Sequence, residues 1–332
     1  MVSKNDCTDC ALGAGAGYLT YKGANKYSNK LKANYAKKVM TNMQNLSQAE
    51  SATLRKAVVD AFEVAGLETK GCMLHNVNPD NMKSMDALLT KNIKDRIMNL
   101  KIAKKFAKLK PLSPEEEKQL EKVLSDLIKN KKYKEAWKEF KKAHTKDSVK
   151  SSGKIIETDK SISKILKTVA EGKNAFYHPI SKDIMVNVDK LGSASFHEMG
   201  HALNASGSKF LKALSIGRHV TKRFVPVILA VGLLKSNKKD GQEPNGVIDK
   251  TTTFIKNNVG KLTFAALIPT LAEEGIASIR GSHLAKKVLS PEVLKKLNKS
   301  YFFAWTTYLL ASLLAAGTVK LSTVVRDKIA EK

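Results

Sequence analysis

Residues 191–206 read LGSASFHEMGHALNAS, and this stretch places His197 and His201 four positions apart with Glu198 directly after the first histidine. Positions i and i+4 lie on one face of an α-helix, so both imidazoles can approach one metal ion. Apolar residues around them predict a helix with one buried side: Phe196, Met199, Ala202 and Leu203. The stretch therefore predicts a metal site on a half-buried helix.

A glutamate beside the first of two helical histidines has a defined role in zinc peptidases. Zinc lowers the pKa of water and polarises the peptide carbonyl, while the glutamate accepts the proton and passes it to the leaving amine. We therefore predict one zinc ion per chain, with His197 and His201 as metal ligands and Glu198 as the catalytic base. A catalytic zinc ion also needs a third protein ligand.

Ligands close to the second histidine do not complete the site. A metzincin would carry glycine and histidine where this chain has Asn204 and Gly207. No aspartate or glutamate occurs between His201 and Asp240, and His219 is a possible nitrogen ligand in that interval. A carboxylate farther along the chain is the other source of a third ligand.

The sequence LIPTLAEEGIASIRG at 267–281 follows an apolar segment and carries two adjacent glutamates. The order of HEMGH, apolar segment, polar loop, apolar segment and Glu-x-x-Ala resembles the membrane-bound gluzincins of the heat-shock membrane protease and CAAX prenyl protease type. That resemblance implies Glu274 as the third zinc ligand and Ala277 as the small residue of the motif. Ser278 stands where the family has an aspartate that orients a histidine ligand, and Glu273 remains an alternative ligand.

The resemblance covers roughly residues 170–285 and implies a mainly α fold with a small β element and a zincin-like metallopeptidase core. The sequence NAFYHPISKDIMVNVD at 174–189 alternates as a strand does, between Ile184 and Val188. A strand beside the cleft would bind an extended peptide through main-chain hydrogen bonds. Four residues are candidates for stabilising the oxyanion by a hydrogen bond or a positive charge: Tyr177, His178, Arg280 and His283.

Composition changes along the chain predict four regions. The basic N-terminal region contains an amphipathic helix, on which Leu54, Val58 and Ala61 share one face and which ends at Gly66. The regions are a basic N-terminal part at 1–82, charged helices and a linker at 83–150, a metallopeptidase-like domain at 151–285, and a C-terminal part at 286–332.

Three apolar segments suggest membrane-associated helices. Residues 301–319 are uncharged, begin with aromatic residues and are long enough to cross a hydrocarbon core of about 30 Å, so we predict a transmembrane helix there. The segments at 224–234 and 262–272 are too short to span alone. A buried helix of a soluble core is the alternative for 301–319.

The charge balance points to an anionic partner. The chain has 58 Lys and Arg against 31 Asp and Glu, a net charge of +27. It lacks an arginine-rich tract and a row of aromatic residues for stacking bases, which disfavours nucleic acid. We expect anionic membrane lipid as a partner, beside a peptide or protein substrate, and the resemblance implies a bacterial-type cell membrane.

These observations predict a membrane-associated zinc metalloprotease, with two alternatives. One is an intramembrane site-two-type protease, and the other is a basic, non-catalytic membrane scaffold with a degenerate peptidase fold. A second metal site is also open, since Cys7, Cys10, Cys72 and His75 have the spacing of two half-sites. We interpret these cysteines as reduced thiols.

Overall fold

The computed structural model describes residues 4–106, 158–235 and 244–330, and the charged helices predicted between 107 and 150 lie outside these ranges. The chain divides into two compact units, with boundaries after Met82 and before Leu166. The larger unit joins the N-terminal residues to the C-terminal half of the chain. The smaller unit is Lys83–Ile165, and its buried residues include Leu89 and Ile93.

The protein is mainly helical with a small mixed sheet. The strands are β1 (Met73–Asn76), β2 (Phe176–His178) and β3 (Asp183–Val186). The helices are α1 (Lys4–Ala49), α2 (Ser51–Val64), α3 (Met82–Phe106), α4 (Thr158–Ala170), α5 (Val188–Ala205), α6 (Lys209–Val220), α7 (Phe224–Leu234), α8 (Gly246–Asn257), α9 (Val259–Ala285) and α10 (Pro291–Ala330).

The sheet leads directly into the histidine-bearing helix. Its strand order is β1-β3-β2, with β1 parallel and β2 antiparallel to β3. The strand predicted from alternation is confirmed by β3, but Val188 begins α5 and does not extend the strand. The reason is local, because the Asn187 side chain accepts a hydrogen bond from the backbone N–H of Lys190 and caps the helix.

The amphipathic helix predicted near residue 54 is confirmed as α2. Its residues Leu54, Val58 and Ala61 are buried, and Gly66 follows with a φ of 57°, in the left-handed region that favours glycine. This face packs into the main core, which also includes buried residues of α5, α9 and α10. The core thus includes residues along most of the histidine-bearing helix, from Val188 to Ala202.

Helices α1 and α10 form a long antiparallel pair. The Tyr35 hydroxyl lies 2.7 Å from the hydroxyl of Thr306, and Ser28 Oγ lies 3.2 Å from Thr318 Oγ1. Near the start of α1 and the end of α10, a Cβ added to Gly17 would lie 2.8 Å from the backbone carbonyl oxygen of Ser322. The glycine-rich segment near the N-terminus is therefore helical and lets the two backbones approach closely.

The apolar segments of the sequence form helices α7, part of α9 and part of α10. Within the described ranges, α9 and α10 are the two helices long and apolar enough to cross a membrane. Their length and composition are a sign of membrane association, and α10 extends well beyond the apolar residues 301–319 at both ends.

Candidate metal centre

The centre lies where α5 crosses α9 with almost no space between the two backbones. A Cβ added to Gly200 would lie 2.0 Å from the carbonyl oxygen of Ala277. A Cβ added to Gly281 would lie 2.4 Å from the carbonyl oxygen of Phe196. These two glycines therefore let α9 approach close enough to place its carboxylates beside the histidines of α5.

We expect Gly200→Ala to destabilise the fold by about 3 kcal/mol, because its methyl group would overlap a backbone carbonyl that a rotamer change cannot move. The free energy of unfolding, measured by guanidinium denaturation, checks this. Gly23→Ala is the matched control, since Gly23 lies in α1 with no atom within 4 Å of its added Cβ. That control should gain about 0.5–1 kcal/mol from helix propensity, and equal stability of the two variants would contradict the close crossing.

Three potential ligand atoms converge at the crossing. The Nε2 atoms of His197 and His201 lie 3.0 Å apart. Glu274 Oε2 lies 3.2 Å from His197 Nε2 and 3.5 Å from His201 Nε2. Ligand bonds of about 2.0–2.2 Å in a tetrahedral zinc site separate the ligand atoms by roughly 3.4 Å. The two imidazoles and the carboxylate could therefore hold a metal ion at this spacing.

The second nitrogen of each histidine ring faces a hydrogen-bond partner. His201 Nδ1 donates to Glu273 Oε1 over 2.7 Å. His197 Nδ1 lies 3.1 Å from Ser278 Oγ. Such partners fix the ring orientation and leave Nε2 to a metal. The structure thus places Glu273 behind His201 and brings Ser278 to His197, where a hydroxyl supplies no negative charge.

Arg218 of α6 joins the two glutamates and was missed by the sequence analysis. Its Nη1 donates to Glu273 Oε2 and, over 3.2 Å, to Glu274 Oε1. Burial lowers the pKa of Arg218, but Glu273 and Glu274 raise it above its ordinary value. The guanidinium therefore offsets part of the negative charge and holds the outer oxygens of both carboxylates away from the histidine pair.

The electrostatic environment at His201 favours a positive charge. Burial lowers the pKa of His201, but hydrogen bonds to Glu273 and Glu274, with the nearby Glu198 carboxylate, raise it to about 10. A metal ion would supply the same positive charge in place of the proton on Nε2, since metal binding displaces protons from histidine ligands.

Glu198 is buried and tied to the edge of the sheet. Its Oε2 accepts a hydrogen bond of 2.7 Å from the backbone N–H of Tyr177 in β2. A carboxylate oxygen of Glu198 and ring nitrogens of His197 and His201 all lie within 4.8 Å of one another. The Glu198 carboxylate therefore lies beside the centre, while Glu274 Oε2 is the carboxylate oxygen that lies closest to both Nε2 atoms.

A cavity of about 320 Å³ lies over the centre. His197, Glu198, His201 and Glu274 line it, and the strand-side wall is formed by residues 174–177. Helices α1 and α10, which the sequence did not connect with the site, form the other walls. Their lining residues are Val39, Met40 and Met43 of α1, and Trp305 and Tyr308 of α10. The N-terminal helix is therefore part of the site.

Of the four oxyanion donors considered from the sequence, Tyr177 lines this cavity. His178, Arg280 and His283 are not among the described residues of its wall. His178 Nδ1 instead lies 3.0 Å from Ser181 Oγ. Burial lowers the pKa of His178 below its ordinary value, and the nearby Asp183 carboxylate offsets only part of that shift. These three residues thus have no contact with the space above the histidines.

The cysteine and histidine half-sites are only partly described. Cys72 is buried, and His75 Nε2 lies 3.0 Å from Asp183 Oδ1, so a carboxylate already accompanies this histidine. The side chains of Cys7 and Cys10, like that of His219, lie outside the described part of the chain.

No family model, curated protein or solved structure matches this chain. The chemistry of the centre is therefore inferred from the arrangement of its own side chains.

Proposed function

We propose that the protein is a membrane-associated zinc metallopeptidase of the gluzincin type, with His197, His201 and Glu274 as zinc ligands. The observation that carries this proposal is the triangle of Nε2, Nε2 and Oε2 atoms with sides of 3.0, 3.2 and 3.5 Å. Two imidazoles and one carboxylate are a donor set used by catalytic zinc sites, which leave one further position open.

When bound, a zinc ion would lower the pKa of water and polarise a peptide carbonyl. Glu198 then acts as the base, with Oε1 taking the proton and later giving it to the leaving amine. The hydrogen bond from the Tyr177 N–H holds Oε2 and so fixes the orientation of the carboxylate. Burial of Glu198 excludes most of the bulk water that would compete for the proton.

The edge strand β2 supports a peptide substrate. It pairs with β3 on one side, and residues 174–177 line the cavity. An extended peptide can lie along such an edge and place a carbonyl group above the histidines, pairing with groups other than the Tyr177 N–H, which already donates to Glu198. A peptide or protein is therefore the proposed substrate, and the net charge of +27 supports anionic lipid as a second partner.

The proposal predicts about one zinc ion per chain in the purified protein, by elemental analysis, and hydrolysis of an unfolded protein such as casein. A chelator should abolish hydrolysis and added zinc should restore it, because the metal is the group that activates the attacking water and polarises the carbonyl in this proposal. Protein that contains no metal after expression with zinc available would contradict the proposal.

A non-catalytic scaffold is the second candidate, and Ser278 is the observation that favours it. The hydroxyl at His197 Nδ1 gives weaker support to a metal ligand than an aspartate would. Zinc-loaded protein that hydrolyses neither casein nor a mixed peptide library would favour this candidate.

A further inference from the structure

Helix α9 presents an apolar stripe to the outside of the protein. Its members recur every three or four residues and therefore share one face: Ala265, Ile268, Ala272, Ile276 and Ile279. The exposed fractions are 49% for Ile268 and 58% for Ile279, so the described chain does not cover the stripe. Lys261 and His283 continue the same face at its two ends.

Helix α10 carries a second apolar stripe that adjoins the first. Phe302 and Leu313 are 60% and 53% exposed. A groove of about 510 Å³ lies between the helices, with Ile276 and Ile279 on one side and Phe302 on the other. The two stripes therefore form one apolar face, which we call the α9–α10 face. Exposed apolar faces of this kind mark interaction surfaces.

Helix α1 limits the part of the α10 surface that lipid can contact. Contacts from Ser28 and Tyr35 fix α1 beside residues 306–318, the middle of the apolar segment. On the opposite side of α1, Lys26, Lys30 and Lys37 are exposed. If α10 crossed a bilayer with α1 attached, these lysines would face hydrocarbon, which is strongly unfavourable.

The length of α10 gives a second reason against a simple span. Its 40 residues correspond to about 60 Å of helix, twice the hydrocarbon thickness of about 30 Å. A helix that is apolar on one side and covered by a lysine-bearing helix on another fits the plane of a membrane surface better than its normal.

We propose that the protein docks in the plane of an anionic lipid bilayer, with the α9–α10 face inserted into one leaflet and α1 outside it. Charge complementarity supports lipid as the occupant of this face, because the chain carries a net charge of +27. Exposed lysines also cluster where the two stripes meet, with Lys286 and Lys287 in the turn after α9 and Lys295 and Lys299 in the first turns of α10. Their ammonium groups can reach lipid phosphates while their stems lie along apolar surface.

Vesicle flotation of the full-length protein tests the docking face. We expect binding to vesicles of equal parts phosphatidylcholine and phosphatidylglycerol, and weaker binding to phosphatidylcholine alone. The double variant Ile279→Glu/Leu313→Glu should reduce the bound fraction roughly tenfold, since two charges would enter the leaflet. Val59→Glu/Val64→Glu is the matched control, because these valines are 51% and 53% exposed on α2, and it should bind as the wild type does.

Undiminished flotation of the double variant would overturn the proposal. So would a dimer in vesicle-free solution that the double variant converts to a monomer, because a second copy would then cover the face. The zinc content of the double variant is measured in the same preparation. Unchanged zinc content together with lost flotation would show that lipid docking fails while the metal centre stays intact. The docking proposal and the proposed peptidase function are thus tested separately.

The in-plane orientation has a test that leaves the α9–α10 face intact. Glu292→Cys and Lys328→Cys, at opposite ends of α10, are each made in a chain carrying Cys7→Ser, Cys10→Ser and Cys72→Ala. A membrane-impermeant maleimide added outside the vesicles should label both positions fully. Labelling of one position only after detergent is added would show that α10 spans the bilayer, and would overturn the proposal.

Discussion

Glu274→Ala should purify with almost no zinc, with an affinity lowered by about three orders of magnitude or more, because it loses one of three ligands. Glu274 Oε2 is the carboxylate oxygen that lies near both Nε2 atoms, at 3.2 and 3.5 Å. Glu273→Gln should lose only about 10–100-fold in affinity, since Glu273 supports His201 from behind. The contrast between neighbouring glutamates is the sharpest test of the ligand set.

Competition with a chromophoric chelator measures both affinities, and elemental analysis gives the occupancy. Glu292→Ala is a suitable control, because this glutamate is 79% exposed at the start of α10 and should leave zinc binding unchanged. Full zinc occupancy in Glu274→Ala, together with loss in Glu273→Gln, would make Glu273 the ligand instead.

Glu198→Gln should keep zinc and lose hydrolysis, with kcat lowered by about 10²–10⁴-fold. The amide oxygen can still accept the hydrogen bond from the Tyr177 N–H, so the local structure persists, but the side chain cannot take a proton. Zinc content and kcat on a fluorogenic peptide are measured on the same sample.

Asp189→Asn controls for the loss of a carboxylate from the same helix. Asp189 lies at the start of α5, where it pairs with Arg55 on the surface, and its replacement should leave kcat unchanged. Activity of Glu198→Gln within tenfold of the wild type would remove Glu198 from the role of base.

The parts of the site that depend on local spacing could be predicted from the sequence. A helical period brings His197 and His201 to one face, and alternation predicted the strand that precedes them. The choice between Glu273 and Glu274 was not decidable in this way. A shift of one residue turns a side chain by about 100° on a helix, and only the packing of α9 on α5 determines which carboxylate faces the two Nε2 atoms and which faces His201 Nδ1.

Residues that reach the site through long-range packing had no sequence signal. Arg218 stands in a basic stretch, where nothing indicates that its guanidinium contacts two glutamates. The wall formed by α1 depends on its pairing with α10, which brings together residues such as Tyr35 and Thr306. Composition predicts a spanning helix at 301–319, but it gives no sign that α1 lies against this segment, because α1 is far away in sequence.

The close crossing of α5 and α9 makes metal binding and helix docking linked equilibria. His197 and His201 come from one helix and Glu274 from the other, so the full ligand triangle exists only while Gly200 rests against Ala277. If zinc binds the docked state alone, as proposed, it stabilises that state by about 2.7 kcal/mol when free zinc exceeds its dissociation constant a hundredfold. Depletion of zinc would then weaken the crossing of the two helices by the same amount.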